Sequence, residues 1–64
     1  MNLEELGAQI KSRRKFLELS QQELADLAEV NINTIVSIER GAGNPLYQTI
    51  NHVAEVLGLE IVLK

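Results

Sequence analysis

The chain has no cysteine and no tryptophan, and only one histidine, one proline, one phenylalanine and one tyrosine in its 64 positions. Without cysteine it can form neither a disulfide nor a thiolate metal site, and that absence fits a reducing cytosol. A lone histidine, His52, comes with no convincing set of further metal ligands. No Ser/His/acid group or carboxylate pair stands where helices would bring it together, so an enzyme is not expected. "GAG" at 41–43 is too short for a phosphate-binding fingerprint. No cofactor is implied. Long apolar runs are missing too: the longest, near "LEIVLK", falls far short of the roughly 20 residues of a membrane span. The start, "MNLEELG", carries Glu4 and Glu5 where a secretory signal carries basic residues. These absences read as a soluble cytoplasmic protein with no membrane partner. Residues 1–64 make one small domain, near the lower size limit for burying a core without staples.

Basic charge is also scarce. The net charge is −3, which weighs against nucleic acid because neutralising phosphates takes Lys and Arg. The distribution tells more than the sum. Four of the six basic residues fall in "KSRRK" (Lys11, Arg13, Arg14, Lys15), so a local basic patch can exist on an acidic chain. Charge alone favours a solvated helix face.

What is present is helix grammar. Leu3, Leu6, Ile10 and Leu17, with Phe16 beside the last, recur at three- and four-residue steps and predict a helix over about residues 2–18. In "LSQQEL", Ser20 is an N-cap candidate, Glu23 completes a capping box, and Leu19 with Leu24 forms the hydrophobic staple. A second helix should run from about Gln21 to Ala28. The pattern then repeats: Asn31 caps a third helix, Val30 and Ile35 staple it, and Gly41 ends it after Arg40. "GAGNP" is a loop whose Pro45 opens a fourth helix, with Tyr47, Ile50, Val53, Ala54 and Leu57 on one face and Gly58 at its end. The tail alternates, with Leu59, Ile61 and Leu63 on one side, which predicts a short strand over about 59–63.

Two short capped helices separated by "EVN" make a helix-turn-helix arrangement, here over about residues 20–41. "LSQQELADLAEVNINTIVSIERG", followed by "NP" and "VAEVLG", resembles the lambda-repressor/Cro-like (XRE) helix-turn-helix family over roughly residues 9–58. The resemblance rests on the small Ala25, the apolar Ile35 and Ile38, and the "IERG" ending. It implies an all-α domain of four to five short helices, here followed by the C-terminal strand. It also implies a dimeric transcriptional regulator that reads double-stranded DNA with its second motif helix in the major groove.

Helical geometry bears on that implication. At about 100° per residue, with Ile32 at 0°, Val36 falls near 40°, Arg40 near 80°, Asn33 near 100° and Ser37 near 140°. Ile38 and Ile35 lie on the far side, at roughly 240° and 300°. Ile35 and Ile38 therefore face the core, and Ile32, Asn33, Val36, Ser37 and Arg40 form an outward arc. Asn33 can pair bidentately with adenine, and Ser37 can donate to or accept from either base edge. Ile32 and Val36 suit thymine methyls and a protein-contact patch equally. Asn31 and Thr34, at the helix start, join the candidate DNA-binding residues.

The resemblance implies a phosphate contact for Gln21, made with the free N–H groups of its helix end. Ser20 is more simply a cap. Arg40, Asn44, Tyr47 and Gln48 are candidates for gripping the backbone on the other side, although Asn44 is equally a turn residue. The resemblance also pairs Arg14 with Glu39 as a partly buried ion pair that orients the recognition helix. Lys11, Arg13 and Lys15 remain as sources of positive charge. Three departures from the family pattern stand out. Glu29 occupies the turn position where glycine is usual, Glu18 does the same before "LS", and "GAGNP" lacks a cation. They lower the expected affinity of a monomer and leave the fold intact.

The tail resembles that of HipB-type antitoxins, whose C-terminal strands pair between subunits. That implies a homodimer through Leu59, Ile61 and Leu63, against the simpler reading in which they tuck onto their own helices. An antitoxin that binds a toxin protein as well as its own operator is the rival function.

Overall fold

Side-chain oxygens decide where three of the four helices begin. In the computed structural model, which describes residues 2–61, α1 spans Leu3–Phe16, α2 Gln21–Ala28, α3 Ile32–Arg40 and α4 Tyr47–Val56. Asn2 Oδ1 accepts from the Glu5 N–H at 2.8 Å and starts α1. At α2 the capping box is complete: Ser20 Oγ accepts from the Glu23 N–H at 3.0 Å, and Glu23 Oε1 accepts from the Ser20 N–H at 2.9 Å. Asn31 Oδ1 accepts from the Asn33 N–H at 2.7 Å and opens α3. Such caps satisfy backbone donors that a helix start would otherwise leave unpaired, each contributing about 1 kcal/mol. Leu46 precedes α4 and offers no such oxygen.

The helices close around one core. Ile10, Leu24, Ala25, Ala28, Ile35, Ile38, Ile50, Val53 and Leu57 are buried together. Leu6, Leu19 and Val30 pack against them, so both staples sit where a cap and its flanking residues place them. The principal contacts join α1 to α3, α2 to α3, and α2 to α4. Gly7 sets how near α1 comes to α3: a Cβ there would collide with the Ile38 carbonyl oxygen and lie 3.0 Å from that of Glu39. Gly41 ends α3 at φ +68°, the left-handed conformation that glycine adopts without a Cβ penalty.

Several sequence expectations need correction. No strand occurs among the described residues: 59–61 form no ladder, and 62 and 63, with Leu63, lie outside the described residues. The described part of the tail has no second strand beside it, and Leu59 and Ile61 pack half-buried against the chain's own core. The Leu59 N–H donates to Ala54 O at 2.8 Å, tying the tail to the end of α4. Helix α1 also stops earlier than its apolar spacing suggests. Phe16 is 73% exposed and Leu17 is outside the helix. Leu17 caps α1, and Glu18 then turns the chain at φ +59°. Tyr47, placed by spacing on the inner face of α4, is half exposed at the first turn. No helix among the described residues is long and apolar enough to cross a membrane.

Candidate nucleic-acid interface

The turn between α2 and α3 is built from a residue that does not favour its conformation. Glu29 sits at φ +58°, ψ +42°, in the left-handed region. For a residue with a Cβ this costs roughly 1–2 kcal/mol. The Glu29 N–H donates to Asp26 O at 3.2 Å and the Val30 N–H to Ala25 O at 3.0 Å, which closes the end of α2 and turns the chain into α3. Helix α3 is thereby held across α2 with Ile35 and Ile38 fully inward.

Its other side carries the polar residues. Asn33 and Ser37 are exposed and Thr34 is half-buried. These three line an open groove of about 300 Å³ together with Ala42, Gly43, Asn44 and Pro45. The structure thus brings Asn33, Thr34, Ser37 and Asn44 to one place. Arg40 is exposed at the end of α3. Asn31 is the cap of α3, its side-chain Oδ1 taken by the Asn33 N–H. Val36, read as part of the outward arc, is half-buried and does not line the groove. Ile32 departs from the outward reading: it packs half-buried against the core. It lies about 60° from Ile35 on the helical wheel, at the margin of the inward face. Ala42, Gly43 and Pro45 read from the sequence as loop residues but not as part of the site. Two glycines within three residues at 41–43 were the available signal for a loop that comes close to a helix.

Beneath this surface lies the ion pair. Arg14 and Glu39 are 7% and 9% exposed. Arg14 Nε donates to Glu39 Oε2 at 2.6 Å and Nη2 to Glu39 Oε1 at 3.0 Å, a two-point contact that fixes both side chains. Arg14 Nη1 donates to Leu19 O at 2.7 Å. Hydrogen bonding to Glu39 raises the arginine's pKa above its ordinary value, against the opposing effect of burial. The network does not end there: Gln21 Nε2 donates to Glu39 Oε1 at 3.2 Å. No buried side-chain polar atom among the described residues is left without a partner. At the neighbouring cap, hydrogen bonds from the Ser20 backbone and side chain hold the Glu23 pKa below the usual carboxylate value.

Positive charge is arranged differently from the sequence expectation. Lys11 and Lys15 are exposed on α1. Arg13, by contrast, donates from Nε to Leu57 O at 3.0 Å and places its guanidinium 5.1 Å from the centre of the Phe16 ring. It closes the end of α4 and covers an exposed aromatic ring.

The sequence model of the Helix-turn-helix family matches residues 10–63. The chain belongs to that family. It is also 36% identical over 56 residues to the immunity repressor protein of Bacillus phage phi105. That alignment covers 88% of this chain and 39% of the phage protein, so the helix-turn-helix chain spans about two-fifths of the curated relative it matches.

Proposed function

We propose that this helix-turn-helix chain is the DNA-binding unit of a transcriptional repressor, acting on double-stranded DNA in the cytoplasm and performing no enzymatic chemistry. Helix α3 enters the major groove. Asn33 and Ser37 read base edges, with Thr34, Val36 and Asn31 beside them, and Gln21, Arg40 and Asn44 hold phosphates. The observation that carries this reading is the convergence of Asn33, Thr34, Ser37 and Asn44 on one open groove along the solvent side of α3. Family membership and the phage repressor relative support it. With Ile32 half-buried against the core, its share in base reading is limited to whatever edge of the side chain α3 presents. The antitoxin alternative, with its toxin partner, draws no support from either match.

A dimer belongs to the same proposal, since two half-sites raise the affinity of a weakly charged monomer. We keep residues 59–63 as its seam. A strand that pairs only across a twofold axis has its ladder partner in the second copy, so a single chain does not contain it. Against this stands the packing of Leu59 and Ile61 on their own core. Truncation after Gly58 decides between them: monomers by light scattering support the seam, and a persistent dimer removes it.

Selection from random duplex DNA tests the main reading. Enrichment of a pseudo-palindrome with half-sites about one helical turn apart is the expected result. No enrichment of any sequence at low salt would overturn it. In the selected site, Asn33→Ala should relax preference at one base pair, whereas Gln21→Ala should weaken all sequences alike.

A further inference from the structure

We infer that Glu39 is a positioning residue for the phosphate contact made by the start of α2, through its hydrogen bond to Gln21. The inference rests on the DNA-binding reading above and concerns how one of its contacts is built. Glu39 is a residue of the base-reading helix, yet its carboxylate is buried and faces inward. One of its oxygens, Oε2, accepts from Arg14 Nε; the other, Oε1, accepts from both Arg14 Nη2 and Gln21 Nε2. Since Arg14 also holds Leu19 O, a single network ties the turn before α2, the first residue of α2 and the end of α3.

The consequence for Gln21 follows from its hydrogen-bonding inventory. A glutamine amide has two N–H donors and one carbonyl acceptor, and either can face outward when the side chain is unconstrained. A phosphate only accepts. By accepting from Nε2, Glu39 fixes the amide's rotation and leaves one N–H for an outside acceptor. The backbone N–H groups of Gln21 and Gln22 stand beside it, because the first donors of a helix have no partner within it and the capping box uses those of Ser20 and Glu23. Three donors thus converge at the start of α2. The same carboxylate that sets the position of α3 sets the direction of the glutamine, so base reading and phosphate gripping are held in register by one side chain.

The test uses the full chain and the duplex it selects, with methylphosphonate replacing each phosphate around one half-site in turn. At one position the wild-type protein should lose about tenfold in affinity, the ratio carried by one hydrogen bond to a charged group. Gln21→Ala should lose little at that position. Glu39→Met, which removes the acceptor at similar length and is checked by thermal unfolding to be folded, should lose as little as Gln21→Ala there and keep wild-type penalties at the other phosphates. A merely structural role would weaken all positions together. Full retention of the tenfold penalty in Glu39→Met overturns the inference. A second measurement covers a variant that does not fold: in the wild type, one Nε2 proton of Gln21 should exchange with water more slowly than those of the exposed Gln48, which has no such partner among the described residues. Equal exchange rates overturn the inference. That measurement needs no DNA, so it separates a failed Glu39 contact from a failed DNA-binding reading.

Discussion

Arg13 and Arg14 are adjacent on α1, about 100° apart around it, and they serve two junctions of opposite character. Arg14 is buried, held at two points by Glu39, and joined through it to both helices of the motif. Arg13 is half-buried, makes one hydrogen bond to the last turn of α4, and lies over a ring that is itself exposed. Both are ion-competent groups from one basic cluster, yet burial alone makes the first indispensable and the second replaceable. A buried charge that loses its partner keeps its full desolvation cost, whereas an exposed one falls back on water.

The largest expected effect is therefore at the first junction. Arg14→Ala strands the Glu39 carboxylate, and the loss should be about 3–5 kcal/mol. For a chain of this size that approaches the whole stability, so urea unfolding followed by circular dichroism should find the variant largely unfolded at room temperature. A loss below about 1 kcal/mol, the range of an exposed pair, would erase the contrast between the two arginines.

Next comes Gly7→Ala, which attacks the same junction from its backbone. The new Cβ meets the Ile38 and Glu39 carbonyl oxygens, and backbone yields less easily than a flexible side chain. Overpacking of this kind costs about 1–3 kcal/mol, opposed by a helix-propensity gain of up to about 1 kcal/mol. A net loss with weaker DNA binding is expected, because α3 would move away from α1. A more stable variant would mean that α1 and α3 are less closely apposed than the structure has them.

Arg13→Ala should cost only about 1 kcal/mol, the sum of a part-exposed hydrogen bond and a cation–π contact after solvent competition. A thermal midpoint lowered by about 4–8 °C corresponds to that. The salt dependence of DNA binding should be unchanged, while Arg40→Ala lowers the slope by about 0.9. A similar drop for Arg13→Ala would return Arg13 to the DNA-binding charge.

How much of this was legible in the sequence follows from the range of the interactions involved. The caps at Ser20 and Asn31, both staples and the inward placement of Ile35 and Ile38 are set within a few residues, so local spacing sufficed. Phe16 and Tyr47 were misplaced because spacing continues a helix face past the point where the chain turns. Ile32, which the wheel put on the outward arc, lies only about 60° from Ile35, and there packing rather than spacing decides the side. Arg14 with Glu39 came from the family resemblance, since no local rule joins residues 25 apart. The extension to Gln21 and the capture of Arg13 by Leu57 O depend on tertiary placement alone, and the sequence carries no signal for either. Of the candidate site, the residues of α3 were legible as types at helical spacing and "GAGNP" as a loop; that the loop completes their groove was not.

The smallest expected effects are at the two turns, and they separate strain from contact. Glu18 and Glu29 both adopt left-handed backbone, at φ +59° and φ +58°. Glycine removes a penalty of roughly 1–2 kcal/mol at such a position, but its freer unfolded chain returns about 0.5–1 kcal/mol of that. Each of Glu18→Gly and Glu29→Gly should therefore stabilise by about 0.5–1 kcal/mol. Glu18 follows the first junction directly, with Leu19 O as the acceptor of Arg14 Nη1, so relief of strain there must leave that carbonyl in place to be felt as stability. Glu29 has no such constraint. If Glu29→Gly stabilises and Glu18→Gly does not, the turn after α1 is held in its strained form by Arg14, and the first junction reaches one residue further than its hydrogen bonds indicate.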